Sequence, residues 1–447
     1  MPPFLRRAPL LGVAALAACG QTPSATIQLT TGGETDTFTR APAPTKLSVD
    51  AVDSQGNVTN LATASLPTDT IDLGTHNETD TVTLEVTGTD DNGNRLVFGA
   101  SVPLQYGALD GLTLPLFVQR TGELARLPGA LADARPAPVL SQLQGQYLFV
   151  GGGSDASLAK TTQIYDFSQF QPLTSPPSLP RVPLSLAFIG PVAMAFDASG
   201  GSYFDFSQNT SQDIPALAGG QFADVAGGQT IVADDGTTYI VGATRTTQPP
   251  TDKVLVIDPS DTSNSNYPVG NLSWAQLTAP RLGASATWVT GRGLVVAGGS
   301  ATAKGVELLA EKTPTGSALP YPSDPSVGSG AIALDQQHVL LAGGLTPDMK
   351  DAGVREIDLG CTSSCAAMTW SALPVAVGAA QVFSIDPANA FMVGSEPSGT
   401  SHAYRLTSTA ATEVPFKVPR QNARAIVSPV GSIVVVGGAT EIESFWP

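Results

Sequence analysis

Seven short apolar runs along this chain each end in a glycine pair or in a degraded version of one. The final residues of the seven runs are Gly151, Asp197, Gly242, Gly298, Gly343, Gly394 and Gly437. Successive runs are 46, 45, 56, 45, 51 and 43 residues apart. A repeat of about 40 to 50 residues built from short strands is typical of propeller blades and not of helical solenoids. The repeat therefore predicts an all-β propeller.

Each complete repeat also contains three further predicted strands around the glycine-ended run. A strand of small residues comes first, as at 284–289 and 423–427, and we expect the one of the third repeat at 219–225. The strand after the glycines carries an aliphatic or aromatic residue such as Tyr165. The last strand has a large aromatic residue three positions before a leucine, as in Trp274 and Leu277. Four strands per repeat is the number that a propeller blade needs.

This unit, with an arginine in the loop that follows the last strand, resembles the Kelch repeat. The resemblance covers residues 115–447 and implies a seven-bladed Kelch-type β-propeller, or a six-bladed one if the degraded unit at 180–217 is not a blade. The last repeat offers three strands, and residues 124–127 look like a fourth strand upstream of the first complete repeat. We therefore expect 124–127 to pair with the last repeat and close the ring, which would leave no open sheet edge.

Residues 26–114 lack the glycine-pair repeat and alternate apolar with polar residues. Pairs such as Ile27 with Leu29, and Leu96 with Phe98, are predicted to share one face of a strand. Clusters of Asp, Asn and Gly separate the strands, as hairpin turns do. The pattern predicts a small β-sandwich, and it loosely resembles bacterial immunoglobulin-like modules.

Composition limits the partners that such a chain can take. With 22 basic and 38 acidic residues, the formal net charge is -16 and the isoelectric point is near 4.5. A surface of this sign repels nucleic-acid phosphates and anionic lipid headgroups, so neither is expected as a partner. Membrane attachment would have to be covalent or through another protein.

The first residues supply a covalent route to the membrane. Arg6 and Arg7 precede an apolar stretch that is too short to span a bilayer, and small residues then lead to Cys19. This resembles a bacterial lipoprotein signal, which implies a signal peptide at 1–18 and a lipidated Cys19 followed by a linker to residue 25. Gly20 resembles the residue found in lipoproteins sorted to the outer membrane. An ordinary secretory signal with a chance cysteine is the alternative.

The other two cysteines, Cys361 and Cys365, lie four residues apart in a loop rich in glycine, serine and threonine. In an exported chain this spacing predicts a local disulfide. A zinc site is the alternative, but it needs four ligands, and no nearby cysteine or histidine supplies the others.

Candidate binding residues gather where the loops leaving the glycine-ended strands meet the loops that lead into the first strands. Antiparallel strand order places both sets of loops on one side of the ring, here called the loop face. The candidates there are the cationic residues Arg135, Arg181, Arg281, Arg420, Arg245 and Lys304. Guanidinium groups bind carboxylates with paired hydrogen bonds, so a ring of them could hold an acidic ligand. Alternatively, each arginine bonds loop carbonyls and braces its own blade.

The sequence offers no catalytic constellation, and we expect no metal or other cofactor. The three histidines, His76, His338 and His402, are scattered, and no phosphate-binding loop or serine-nucleophile motif occurs. Kelch-like copper oxidases require paired histidines and a free cysteine, which this chain lacks. The prediction is a monomeric, lipid-anchored platform in the bacterial cell envelope that binds a protein or glycan. A mutarotase-like or epimerase-like propeller enzyme and a purely structural envelope component remain as alternatives.

Overall fold

A computed structural model describes residues 24–74, 80–261 and 269–447, and this part of the chain is almost entirely β-structure. Cys19 and His76 lie outside the described residues. The described part has no helix long and apolar enough to cross a membrane. Glycine, proline and β-branched residues are abundant, and these favour strands joined by tight turns.

The first nine strands form two sheets that pack face to face. They are β1 (Ala25–Thr30), β2 (Lys46–Asp53), β3 (Val58–Ser65), β4 (Thr70–Gly74), β5 (Thr81–Thr89), β6 (Arg95–Ala100), β7 (Leu104–Gln105), β8 (Thr113–Phe117) and β9 (Gln119–Arg120). One sheet has the order β4-β1-β8, with β1 parallel to β8. The other has the order β3-β2-β5-β6-β9, and β7 pairs with β5. These sheets thus extend past Leu114, because β8 and β9 belong to them.

Both sheets contribute side chains to a single apolar core. Ile27 and Leu116 from the first sheet meet Leu47 and Leu84 from the second, and all four are fully buried. The predicted alternation holds in β1, β2 and β5. It is wrong for β6, where Val97 is fully buried in this core, Leu96 is partly buried against it and Phe98 is buried outside it. The reason is that both faces of β6 are covered, so burial does not alternate there.

The remaining strands form seven four-stranded antiparallel sheets, here called ring sheets 1 to 7. The outer strand of ring sheet 7 is β10 (Leu124–Arg126). Ring sheet 1 contains β11 (Val139–Leu143), β12 (Tyr147–Gly151), β13 (Thr162–Asp166) and β14 (Gln171–Pro172). Ring sheet 2 contains β15 (Ser185–Ile189), β16 (Val192–Asp197), β17 (Gly200–Asp205) and β18 (Thr210–Ile214). Ring sheet 3 contains β19 (Gln229–Val232), β20 (Thr238–Val241), β21 (Thr251–Asp258) and β22 (Asn271–Arg281).

The other four ring sheets repeat this order. Ring sheet 4 contains β23 (Ser285–Val289), β24 (Gly293–Ala297), β25 (Val306–Leu309) and β26 (Ser317–Leu319). Ring sheet 5 contains β27 (Gly330–Ala333), β28 (His338–Ala342), β29 (Arg355–Asp358) and β30 (Met368–Thr369). Ring sheet 6 contains β31 (Gly378–Asp386), β32 (Asn389–Ser395), β33 (Ser401–Thr407) and β34 (Ala411–Glu413). Ring sheet 7 contains β35 (Arg424–Val427), β36 (Ile433–Val436), β37 (Glu443–Phe445) and β10. Short 3-10 helices occur at Tyr106–Leu109, Phe222–Asp224 and Gly242–Thr244.

Neighbouring ring sheets contact each other through their first strands. β11 contacts β15, and the series continues through β19, β23, β27 and β31 to β35, which contacts β11 again. The first strands therefore surround a common centre, and the sheets radiate from it. This arrangement is a β-propeller.

The ring closes by the pairing that the sequence predicts. β10 lies antiparallel to β37, with Leu124 opposite Phe445 and Arg126 opposite Glu443. The prediction that 124–127 completes the last sheet is confirmed for β10. The aromatic ring of Phe445 also stacks on that of Phe391 at a centroid distance of 4.2 Å, which ties ring sheet 7 to ring sheet 6.

The N-terminal sheets dock on ring sheet 7. Gln119 Nε2 donates to the Ser444 carbonyl at 2.9 Å, and the ring of Phe98 meets that of Trp446 edge to face at 4.7 Å. The Arg126 guanidinium pairs with Glu34 at 2.9 Å. These contacts cover the face of β6 that carries Phe98, which explains why both faces of that strand are buried.

The degraded second repeat still folds as a four-stranded sheet. In place of a glycine pair, the Asp197 carboxylate accepts hydrogen bonds from the backbone N–H groups of Ser199 and Gly200. In an intact repeat, Gly438 has φ +71° and a Cβ there would lie 2.1 Å from the backbone nitrogen of Gln421. Glycine is required at such a position because both the backbone angle and the space exclude a side chain.

The predicted first strand of the third repeat, at 219–225, is wrong. Phe222–Asp224 is a 3-10 helix, and the first strand is β19, which begins at Gln229. The 3-10 helix is favoured locally because Gln221 and Asp224 exchange hydrogen bonds in a capping box. Phe222 packs its ring against that of Trp274, so its burial does not need a strand.

Candidate ligand-binding site in the central channel

The glycine loops and the loops that lead into the first strands meet on the loop face. Four of the five arginines predicted there are buried, and three of these four share one hydrogen-bond pattern. Arg135, Arg281 and Arg420 are 1%, 0% and 2% exposed. Each donates through Nη1 to a glycine carbonyl 17 residues further along the chain, at distances of 3.4, 2.7 and 3.2 Å. The same brace is thus repeated in three ring sheets.

Acidic partners complete these braces. Arg281 pairs with Glu307 at 2.7 Å and Arg420 pairs with Glu443 at 3.0 Å, and all four side chains are fully buried. Arg135 pairs with Asp133 at 2.7 Å. Arg281 also donates to the carbonyl of Lys304. Because these guanidinium groups are already satisfied inside their own loops, they are not free to hold a ligand at the mouth of the ring.

The other three predicted cations differ in their surroundings. Arg245 is buried and bonds the carbonyls of Ala223 and Pro249, and burial lowers its pKa. Arg181 is partly exposed and pairs with Asp197 and with Asp213, the latter at 3.0 Å. Lys304 is exposed on the loop face. Its described side chain has no ion pair within 4 Å, and it does not line the central cavity described below. The six cations therefore do not form one ligand-binding ring.

A cavity of about 380 Å³ occupies the centre of the ring instead. Its walls are the initial residues of the first strands, so it lies on the loop-face side of the channel. Among the described residues, the lining comprises Pro138, Val139, Leu140, Leu184, Ser185, Leu186, Gly228, Gln229, Thr230, Gly330, Ala331, Ala380, Gln381, Val382, Phe383, Arg424, Ala425 and Ile426. Six of the seven ring sheets contribute to it.

Arg424 is the one charged residue in that described lining. It begins β35, is half-buried, and donates one hydrogen bond to its neighbour's carbonyl, that of Ala423, at 3.0 Å. No ion pair joins it to any described residue. Burial lowers the pKa of the Arg424 guanidinium.

Sequence reasoning missed Arg424, although a signal was present. In the ladders, Arg424 lies opposite Val436, just before a glycine pair, and the equivalent positions of ring sheets 4 and 5 hold Ser285 and Gly330. The first strands otherwise carry no charge except Asp386, which ends β31 at the far side. An arginine at a position where other repeats have small residues was therefore the signal of a candidate site.

The two histidines that the structure describes do not form a site with the channel. His402 lies between Glu396 and Glu413, whose carboxylates are 2.8 and 3.0 Å from its two ring nitrogens. Burial lowers its pKa, but the two carboxylates together raise the pKa above the ordinary value. His338 pairs with Asp335 at 2.8 Å. Within 24–74, 80–261 and 269–447, no group of three or more His, Cys, Asp or Glu residues could hold a metal ion.

The predicted disulfide is confirmed. Cys361 and Cys365 are bonded and close the loop between β29 and β30. In the antiparallel order, strand three ends on the side opposite the loop face. The disulfide therefore lies away from the channel cavity and its arginine.

Comparison with known proteins finds low overall similarity. No known protein family and no curated protein matches the sequence. Among solved structures, the chain is similar to YCF48 bound to D1 peptide, with 11% identity, a TM-score of 0.45 and coverage of 73% of this chain and 96% of that one. A quinonprotein alcohol dehydrogenase-like protein from Bacteroides thetaiotaomicron has 11% identity, a TM-score of 0.43 and coverage of 96% and 98%. The AfRom2 CNH domain has 12% identity, a TM-score of 0.41 and coverage of 72% and 100%.

Proposed function

We propose that this protein is an exported lipoprotein whose propeller binds a protein or glycan in the cell envelope through the loop face and the central cavity. The observation that carries the proposal is Arg424, a half-buried cation without an ion-pair partner among the described residues, in a cavity of about 380 Å³. Cavities of about 300–1,000 Å³ with a few placed polar groups are the usual form of a ligand site.

Binding is favoured over catalysis by the content of the cavity. A propeller enzyme of the mutarotase or epimerase kind would need groups that donate and accept protons. The described lining holds no carboxylate, imidazole or thiol. A purely structural envelope component is the remaining alternative, and it gives no reason for a half-buried guanidinium group without an ion-pair partner in the channel.

The seven ring sheets are, in this proposal, seven blades of a Kelch-type propeller. The repeated brace from an arginine to a glycine carbonyl 17 residues later supports this, since one structural unit recurs in ring sheets 1, 4 and 7. In ring sheet 5, the indole N–H of Trp370 donates a hydrogen bond to the Glu356 carboxylate at 2.8 Å. The N-terminal sandwich is proposed as an immunoglobulin-like spacer that is fixed to ring sheet 7 by its docking contacts.

We propose that lipid chains on Cys19 anchor the protein to the outer membrane. Several acyl chains on one residue give stable membrane attachment, because each buried methylene contributes about 0.8 kcal/mol. Cys19→Ser should therefore move the protein from the membrane fraction to the soluble fraction, as measured by fractionation and immunoblotting. The disulfide variant Cys361→Ser serves as the control and should stay in the membrane fraction. Membrane retention of Cys19→Ser would refute the anchor.

The binding role is tested by affinity capture from the native envelope with the full-length protein as bait. Leu184 and Val427 are both 40% exposed, but Leu184 lines the cavity on the loop-face side and Val427 ends β35 on the other side. A partner bound at the loop face should be lost with Leu184→Asp and kept with Val427→Asp. Equal capture by the two variants would contradict the proposal, as would the absence of any saturable partner.

A further inference from the structure

We propose that the central cavity binds a carboxylate that carries an apolar tail, with the Arg424 guanidinium as the group that holds the carboxylate. This deepens the proposed function and rests on it, since it names the chemistry of the ligand at the same site. The argument has three parts: the missing partner of Arg424, a second hydrogen-bond donor beside it, and the apolar walls.

The arginine has no anionic partner within the described chain. Arg281 and Arg420 each pair with a buried glutamate and bond two carbonyls, whereas Arg424 bonds one carbonyl. A partly desolvated charge is costly unless it is paired. In a chain with 38 acidic residues, the absence of a carboxylate at this position leaves room for one from a ligand. A guanidinium group can accept it with two parallel hydrogen bonds.

A second donor lies in the same cavity. The backbone N–H of Ala425 donates to Gln381 Oε1 at 2.6 Å. This bond fixes the orientation of the amide, because an N–H group needs an oxygen as its acceptor. Gln381 Nε2 then has no hydrogen-bond partner among the described residues. It can donate to the same anion that Arg424 holds, because the bond to Ala425 holds the Gln381 amide beside the strand that carries Arg424.

The rest of the cavity wall combines aliphatic side chains with polar residues such as Ser185, Gln229 and Thr230. Its apolar walls include Val139, Leu140, Leu184, Val382 and Ile426. Against the aliphatic part of the wall, an apolar tail gains about 25 cal/mol for each Å² that it removes from water. The cavity therefore suits a chain that ends in a carboxylate and has apolar groups behind it.

Two sources share this chemistry, the C-terminus of a peptide with apolar final residues and a free aliphatic acid. Isothermal titration calorimetry with the full-length protein can separate them. The probes are acetyl-Ala-Leu-Val with a free carboxylate, the same peptide as its C-terminal amide, hexanoate and acetate. We expect the peptide carboxylate or hexanoate, or both, to bind. Tighter binding of the peptide would indicate a peptide C-terminus as the ligand, and tighter binding of hexanoate would indicate a free aliphatic acid.

Three comparisons test the role of the carboxylate and of Arg424. If the peptide acid binds, its amide should bind at least tenfold more weakly, which tests the carboxylate. If hexanoate binds, it should bind at least tenfold more tightly than acetate, which tests the apolar tail. Arg424→Gln should weaken binding of the favoured probe at least tenfold, and Arg424→Lys should retain part of it. Lys304→Gln removes an equal charge from an exposed position of the loop face and should leave binding unchanged. Thermal melting of each variant checks that it is folded.

Several results would overturn the inference. These are no binding by any probe, equal binding of the acid and amide with no preference for hexanoate over acetate, or unchanged binding in a folded Arg424→Gln variant. The comparison of acid with amide uses the unaltered protein, so it does not depend on how a variant folds. If the Leu184→Asp test identifies a loop-face partner whose capture Arg424→Gln does not alter, the proposed function stands and this inference fails. If no partner and no probe binds, both fail.

Discussion

Glu307→Ala is expected to lower the free energy of unfolding by about 3–5 kcal/mol, the usual cost of removing one partner of a buried ion pair. Glu307 and Arg281 are both fully buried, and the Glu307 carboxylate also accepts a hydrogen bond from the Thr278 backbone at 2.6 Å. Without Glu307, the Arg281 charge remains buried and is only partly satisfied by two carbonyls. Chemical denaturation followed by tryptophan fluorescence measures the effect.

Two further variants make this test specific. Glu443→Ala removes the equivalent carboxylate from ring sheet 7, where it pairs with Arg420, and should cost a similar amount. Glu311→Ala removes an exposed carboxylate in the loop after β25 and should change stability by no more than about 0.5 kcal/mol. If Glu307→Ala is no more destabilising than Glu311→Ala, the arginine brace does not support the ring.

Leu124→Ala is expected to cost about 2–5 kcal/mol, the range observed when a buried leucine is truncated and leaves a cavity. Leu124 is fully buried in β10 and packs in one core with Phe391, Val393 and Phe445. The loss would weaken the strand that completes ring sheet 7, and with it the junction to ring sheet 6. Equilibrium unfolding in urea measures the change.

A matched leucine and a local measurement complete this test. Leu112 is 57% exposed, so Leu112→Ala should have little effect on stability. Hydrogen exchange at the backbone amides of 443–445 should speed up in Leu124→Ala, because β37 pairs with β10 on that edge. Unchanged exchange at those amides, together with a small change in stability, would argue against closure of the ring by β10.

The propeller could be predicted from the sequence because each repeat needs glycine at the same backbone positions. Glycine pairs such as Gly298-Gly299 and Gly437-Gly438 have positive φ angles, which other residues rarely adopt. The glycine pairs therefore recur in the sequence at a regular spacing. Even the degraded repeat at Asp197 kept a residue whose side chain could bond the turn backbone.

The site could not be predicted in the same way, because burial decides what an arginine does. Arg281 and Arg424 are equally basic in sequence, and only the structure shows that one is paired with Glu307 and the other faces the channel without a carboxylate. The sequence repeat drew attention to the arginines that recur in the loops. A residue that recurs in every repeat usually stabilises the repeated structure. Arg424 interrupts the pattern of small residues, and such an interruption is the better guide to a site. Likewise, Phe98 faced away from the predicted core because ring sheet 7 covers it, a long-range contact that local alternation does not encode.

The central claim is that the propeller holds a ligand's carboxylate at the Arg424 guanidinium in its channel. The most direct measurement is a crystal structure of the protein soaked with acetyl-Ala-Leu-Val or hexanoate, whichever binds more tightly. The account predicts the carboxylate within hydrogen-bond distance of Arg424, with the apolar tail against walls such as Leu140 and Leu184. A ligand bound elsewhere, for example at the exposed Lys304, or an empty channel at saturating probe, would contradict it.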